Sequence, residues 1–255
     1  MKDIKNILSC PLCHRKLIRI RKSYYCKNCH EYYQIRKNIA DFIVSALTRE
    51  SQDSLQQYEM IHQTNWQKIH DGSYEILAAF AKGNKTVDIA CGDGFIEELA
   101  PNTVGVDFSL NALLKARNRG AKYLVRAAAE NLPFKNNAFD LAICAGSLEH
   151  FSDPQQAIHE MARISKIQIL TVHRLPKIIF AKQVFSLMTT FFQLRHQPIE
   201  NPVSEKKIIQ LLKEAGLKMV FQGVWNLPLN YGRVIKFLPE FKTTPSSWFV
   251  ITIKK

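Results

Sequence analysis

Between residues 86 and 173 the chain alternates short apolar, β-branched runs with longer stretches whose apolar positions fall three and four apart. TVDIA (86–90), VGVDF (104–108), KYLVRA (122–127), FDLAICA (139–145) and KIQILTVH (166–173) read as strands. Residues 94–100, 109–119 and 154–164 read as helices, the last opening at Asp153-Pro154. Strand and helix alternating in this way predict a parallel sheet with helices on both faces. Further on, Ser204 is placed to cap a helix reaching Ala215, with Gly216 as its stop, and KMVFQGVW and SWFVITI read as two final strands. Upstream, Leu55, Tyr58, Ile61 and Trp66 recur near helical spacing within 54–70, and a second helix is expected over 73–82, stopping at Gly83-Asn84. Before these, EYYQIRKNIADFIV places aromatic and branched residues around a polar turn, as short strands ending near residue 44 would.

The first 46 residues carry a different chemistry. Cys10-x-x-Cys13-His14 is repeated as Cys26-x-x-Cys29-His30, with twelve residues between the knuckles. Such pairs can attach haem or close around zinc. Haem attachment normally requires export, and the N-terminus, MKDIKNILSC, has no apolar segment of signal-peptide length. The expected compartment is therefore the cytoplasm, where paired cysteines serve metals more often than disulfides. Cys10, Cys13, Cys26 and Cys29 are the expected ligands of one structural zinc ion, with the two histidines outside the shell.

Charge adds a partner. The chain of 255 residues has a net charge of +13, and its first 50 residues hold +7 of it. Arg15, Lys16, Arg19, Arg21, Lys22 and Lys27 crowd the cysteine hairpin, with Tyr24 and Tyr25 among them. This is an electrostatic footprint for RNA, or else a solvated hairpin with tyrosines turned to a core. The chain thus divides into a zinc ribbon (1–46), a linker and helix (47–70) and an α/β unit (71–255).

The first strand of that unit ends in DIACGDGF. Gly92 and Gly94 allow a tight turn and close approach of a ligand, and Asp107 ends the next strand, where a carboxylate can accept from ribose hydroxyls. A dinucleotide would prefer a third glycine where Glu97 stands, and Glu97 and Glu98 in the first helical turn would repel a pyrophosphate. No Lys-Ser/Thr follows the glycines, which disfavours a nucleoside triphosphate. S-adenosylmethionine, cationic and without phosphate, fits best.

Residues 86–165 resemble a class I S-adenosylmethionine-dependent methyltransferase, through TVDIACGDGFIEELAPNTVGVDFSLNALLKAR and the LPF…FD phrase before the fourth strand. The resemblance implies a Rossmann-like seven-stranded sheet whose last two strands form an antiparallel edge. It implies that Asp88, Ala90, Gly92 and Gly94 line the methionine end of the cofactor, that Asp107 holds the ribose with Phe108 beside the adenine, that Ala129 and Glu130 lie along the adenine edge, and that Ala145 lies under the sulfonium. Two positions depart from the pattern. Ala90 replaces a glycine, and Ala128 replaces an acidic residue that would accept from the adenine amino group. The ribbon is similar to small zinc-ribbon partners of RNA and protein methyltransferases, and its fusion to such a domain resembles ribosomal-RNA guanine-N1 methyltransferases.

The acceptor is less defined. AGSLEHFSDP follows the fourth strand, without the Asn/Asp-Pro-Pro-aromatic phrase of enzymes that methylate exocyclic base amines. Glu149 and His150 are candidates for the acceptor side, His150 as a proton carrier or as a packed residue bonded to backbone. Cys91 and Cys144 read as small packed residues. Residues 174–200 interrupt the fold with an apolar helix flanked by Arg174, Lys177, Lys182 and Arg195, which reads as a lid, a membrane-surface contact or an extra packed helix. Three functions follow: RNA methylation, methylation of a small apolar or lipid-like acceptor, or cofactor binding without catalysis. Oligomeric state is not legible.

Overall fold

The structure, a computed structural model, describes residues 4–44, 49–63, 72–174, 204–226 and 246–254. The expected insertion beyond Arg174 and the expected helical position Trp66 lie outside these residues.

Among the described residues, eleven strands form one sheet. In chain order they are β1 (Ile18–Ile20), β2 (Ser23–Cys26), β3 (Glu31–Arg36), β4 (Ile39–Asp41), β5 (Thr86–Ile89), β6 (Val104–Asp107), β7 (Tyr123–Arg126), β8 (Phe139–Ala145), β9 (Ser165–Arg174), β10 (Leu217–Asn226) and β11 (Ser246–Lys254). Their spatial order is β1-β2-β3-β4-β7-β6-β5-β8-β9-β11-β10. The seven strands from β7 to β10 are those expected from the alternating pattern: β7, β6, β5, β8 and β9 run parallel, and β11 and β10 close the edge antiparallel. The expected count of seven is nonetheless too small. β4 leaves the ribbon hairpins and pairs in parallel with β7, Ala40 opposite Val125 and Asp41 opposite Arg126, so the ribbon extends the sheet.

Six α-helices accompany the sheet among the described residues: α1 (Arg49–Ile61), α2 (Ser73–Ala81), α3 (Phe95–Leu99), α4 (Leu110–Asn118), α5 (Pro154–Ile164) and α6 (Glu205–Glu214). The strand period of two divides the core between two faces. Ala142, Cys144, Leu170 and Val172 pack with Ala157, Ile158 and Met161 of α5 and Leu211 and Leu212 of α6. Their alternates Leu141, Ile143 and Ile169 pack with Leu77 and Ala78 of α2 and Ile96 of α3. Asp153 and Ser204 start their helices as expected, accepting from Gln156 and Lys207 N–H, and Ser109 likewise accepts from Ala112 N–H at the start of α4.

The ribbon shares the first of these cores. Leu8, Tyr24, Tyr33 and Phe42 join the cluster that contains Leu132 and Phe134 of the LPF loop. Leu8 bridges Phe134, and Ser9 N–H donates to the Pro133 carbonyl at 2.9 Å.

Candidate functional site

The turn after β5 carries three left-handed backbone positions: Ala90 (φ 60°), Gly92 (φ 53°) and Gly94 (φ 80°). A Cβ on Gly94 would lie 2.6 Å from the Ala116 Cβ of α4, so no larger residue fits there without displacing that helix. Ala90 fits in place of the expected glycine, but its Cβ sits in a conformation that L-residues avoid. Cys91 N–H donates to the Val106 carbonyl at 3.0 Å, holding the turn against β6.

Asp107, at the end of β6, is 8% exposed. Its Oδ2 accepts from Gly92 N–H at 2.9 Å and its Oδ1 from Ser109 N–H at 2.8 Å. The carboxylate therefore positions the glycine turn, and each oxygen keeps a lone pair for a ligand hydroxyl. Burial pushes its carboxyl upward, while the charge of His62 and the two amides act in the opposite direction.

Asp88 ends inward beneath the turn, and Glu97 of α3 turns in to meet it. Glu97 is fully buried and Asp88 nearly so, and both Glu97 oxygens and Asp88 Oδ1 are buried without a hydrogen-bond partner. Burial first, with repulsion from Asp107, raises Glu97 to about 8, while burial and the charge of Glu97 raise Asp88 well above the usual carboxylate range. Of the two carboxylates expected to repel an anion, Glu98 instead faces outward, 3.5 Å from the Arg119 guanidinium.

A set of residues that the sequence reading did not single out closes this region. Glu59 of α1 accepts from Ser109 Oγ (2.9 Å), Leu110 N–H (2.8 Å) and Asn111 N–H (3.0 Å), placing an anion at the N-terminus of α4. Arg126, the last residue of β7, donates to Glu59 Oε1 (2.8 Å), to Asp41 Oδ2 of β4 (3.0 Å) and to the Phe108 carbonyl (3.0 Å). His62 lies 3.0 Å from Asp93 in the glycine turn, and Lys115 lies 3.6 Å from the same carboxylate.

The remaining expected residues fall around the same strand ends. Ala129 is buried; Glu130 accepts from Ser152 Oγ (2.8 Å) and Asp153 N–H (3.2 Å), which ties the loop after β7 to the start of α5. Ala128 has no acceptor side chain, and its carbonyl takes Asn131 N–H. Ala145 ends β8, followed by a short 3₁₀ turn, Leu148–His150, in which Glu149 is buried and His150 half-buried. Cys144 is fully buried in the core and Cys91 9% exposed, as expected of packed residues.

The four ribbon cysteines converge. Their sulfurs all lie within 4.8 Å of one another, with Cys13–Cys26 at 3.5 Å and Cys10–Cys29 at 3.9 Å. Those separations are too long for S–S bonds. They match the sulfur–sulfur edge of about 3.8 Å that a tetrahedral site with Zn–S near 2.3 Å requires. Burial opposes ionisation of Cys13, but the Arg15 amide and the neighbouring sulfurs bring its thiol down to about 7. Tyr33 Oη lies 3.3 Å from Cys10 Sγ, within reach as an outer-shell donor. The His30 ring lies 3.3 Å from Tyr25 Oη.

A family model described as "Methyltransferase domain" matches residues 87–168. The chain is 40% identical over 88 residues to a demethylmenaquinone methyltransferase of Corynebacterium kroppenstedtii, covering 33% of this chain and 38% of that one. It is 39% identical over 87 residues to a human protein named "Probable tRNA methyltransferase 9B", covering 32% and 19%. The alignments span 43%, 38% and 36% of the length of three of the curated relatives it matches. Among solved structures, an S-adenosylmethionine-dependent methyltransferase of Thermotoga maritima superposes with a TM-score of 0.55 at 18% identity, covering 81% of this chain and 98% of that one. Residues 87–168 thus match a methyltransferase-domain family, and the sheet that contains them has the Rossmann-like fold of class I S-adenosylmethionine-dependent methyltransferases.

Proposed function

We propose that this chain transfers a methyl group from S-adenosylmethionine to RNA, at a nucleophile other than an exocyclic base amine. The observation that carries the cofactor reading is the Gly92–Asp107 bond: a glycine turn and a buried carboxylate one strand away are held in one fixed relation. In this reading Asp107 receives the ribose hydroxyls, Phe108 lies by the adenine, and Gly92, Gly94 and Asp88 bound the methionine end. Glu149 and His150, just past β8, stand on the acceptor side, where the protein's contribution is chiefly alignment of nucleophile and sulfonium. The four cysteines hold a structural zinc ion.

RNA is favoured by the ribbon. Arg15, Lys16, Arg19, Arg21, Lys22 and Lys27 are all exposed. Tyr24 is buried against Phe42, but Tyr25 and the exposed Tyr32 lie 4.4 Å apart with their rings tilted by 31°, an aromatic surface against which a base can lie. The likeness to the human tRNA-methyltransferase-named protein is consistent with this acceptor.

A second reading rests on a separate observation. Ile76, Phe80, Phe221, Val224, Phe249 and Ile251 line an apolar cleft of about 400 Å³ between α2 and the antiparallel edge. Together with the demethylmenaquinone-methyltransferase likeness, it favours a small apolar or lipid-like acceptor.

Incubation with methyl-labelled S-adenosylmethionine and separate RNA, protein and lipid extracts distinguishes the readings. Label in the RNA fraction is expected, while label in lipid alone would establish the second reading instead. Asp107→Ala removes ribose contacts worth about 1.5–3 kcal/mol each and is expected to weaken cofactor binding by about 100-fold or more. An Asp107→Ala protein that folds and binds cofactor normally would overturn the pocket assignment.

A further inference from the structure

Two carboxyl groups buried side by side, with no cation between them and oxygens that find no donor, are kept from both ionising by desolvation and mutual repulsion. Asp88 and Glu97 make such a pair beneath the glycine turn: Glu97 is fully buried and Asp88 nearly so, and both Glu97 oxygens and Asp88 Oδ1 have no hydrogen-bond partner. The neighbouring cations are engaged elsewhere, Arg126 with Asp41 and Glu59, Lys115 with Asp93 and Arg119 with Glu98, and the His62 ring bonds the same Asp93. The other ionisable groups bearing on the pair add only negative charge or none. Asp107 faces it from β6, and the Cys91 thiol, beside Glu97, is itself pushed far above its usual range by burial and these carboxylates. Cys144 from β8 also feels Asp88, and burial likewise keeps its thiol neutral. Glu97 has no room to swing away. A Cβ on Gly105 of β6 would lie 3.2 Å from Glu97 Oε1 and 2.9 Å from Cys91 Sγ, so the side chain is wedged under that strand.

We propose that Asp88 and Glu97 hold a proton between them in the ligand-free protein and that S-adenosylmethionine expels it to solvent on binding, which makes Glu97 a positioning residue that couples cofactor affinity to pH. This rests on the cofactor reading above. The physical driver is substitution of charge: a ligand carrying a sulfonium and an ammonium brings into the crevice the positive charge that the proton supplied. The sign follows from linkage. Because binding releases a proton, affinity rises with pH until the pair is already ionised in the free protein.

Titration calorimetry at pH 7 in two buffers of different ionisation enthalpy measures the released proton directly, with S-adenosylmethionine and S-adenosylhomocysteine as probes. The wild type is expected to release between about half and one proton, and its affinity to climb about five- to thirtyfold from pH 6 to pH 7.5, the upper bound being tenfold per pH unit for one full proton. Glu97→Gln removes one of the two titrating carboxyls and its repulsion of Asp88, so both the release and the pH slope should shrink markedly while binding persists. Binding by the wild type without proton release, or an undiminished release in Glu97→Gln, overturns this inference alone. Absence of binding by the wild type at every pH would sink the cofactor reading and this one with it.

Discussion

Ala90 shows how a single residue departs from what its site prefers and what that costs. Its φ of 60° places a Cβ where glycine belongs, at the first bend of the turn that shapes the pocket. Left-handed backbone costs an alanine roughly 1–2 kcal/mol, partly offset because glycine loses more freedom on folding. Ala90→Gly is therefore expected to stabilise the protein by up to about 1 kcal/mol, read as a higher denaturant midpoint at unchanged slope; a lower midpoint would show that the alanine methyl makes a packing contact that matters more than the strain. Glu97 gives a residue-scale prediction of opposite origin. Its pKa is raised in the fold, to about 8 from a usual value near 4.5, so the folded state binds more protons than the unfolded one between these values. The associated stability is fully present below about pH 4.5 and is lost as pH rises through about 8. Thermal melts of the ligand-free wild type should fall across that window, and Glu97→Gln should flatten the decline. Parallel melting curves for the two proteins would show that Glu97 titrates normally.

At the scale of elements, what was legible followed periodicity and what was not followed distance. β5 to β9 were readable because branched residues in short runs and caps such as Asp153 act locally. The direction of Glu97 was not, because three-to-four spacing in a helix of five residues cannot say which of two adjacent glutamates faces the sheet. Arg126 was missed for a different reason: its partners Glu59 and Asp41 lie 67 and 85 residues away, and no local pattern reports a pairing that only the closed sheet creates. That arginine nevertheless holds three elements, since β4, α1 and the loop into α4 all meet its guanidinium. Removing it leaves two carboxylates facing each other with little solvent to replace it. Arg126→Met should cost about 3–5 kcal/mol, the range for breaking a buried ion pair on one side. A double variant that also replaces Asp41 by Asn should recover part of the loss, because one stranded charge is gone; a purely additive double variant would mean that the pair is not coupled.

At the scale of the whole molecule, the knuckle spacing made the cysteine cluster readable, but not that the hairpins carrying it continue the sheet. The join is a short parallel ladder: Ala40 and Asp41 of β4 beside Val125 and Arg126 of β7. Pattern alone could not place it, because β4 is three residues long and parallel pairing requires a partner supplied much later in the chain. The consequence is mechanical. Tyr24, Tyr33 and Phe42 pack into the same cluster as the LPF loop, and Asp41 reaches Arg126, which in turn touches Glu59 at the start of α4 beside Asp107. A metal held by Cys10, Cys13, Cys26 and Cys29 would stabilise that edge by the free energy of its binding, because the unfolded chain offers no preformed site. The metal-loaded protein is expected to contain one zinc per chain and to unfold in a single transition. Chelation should lower that transition as a whole rather than detach a separate ribbon transition, and it should weaken S-adenosylmethionine binding through the loosened β4–β7 edge. Two independent melting steps, with only the lower one moved by chelator, would show instead that the ribbon is an appendage whose metal has no hold on the cofactor crevice.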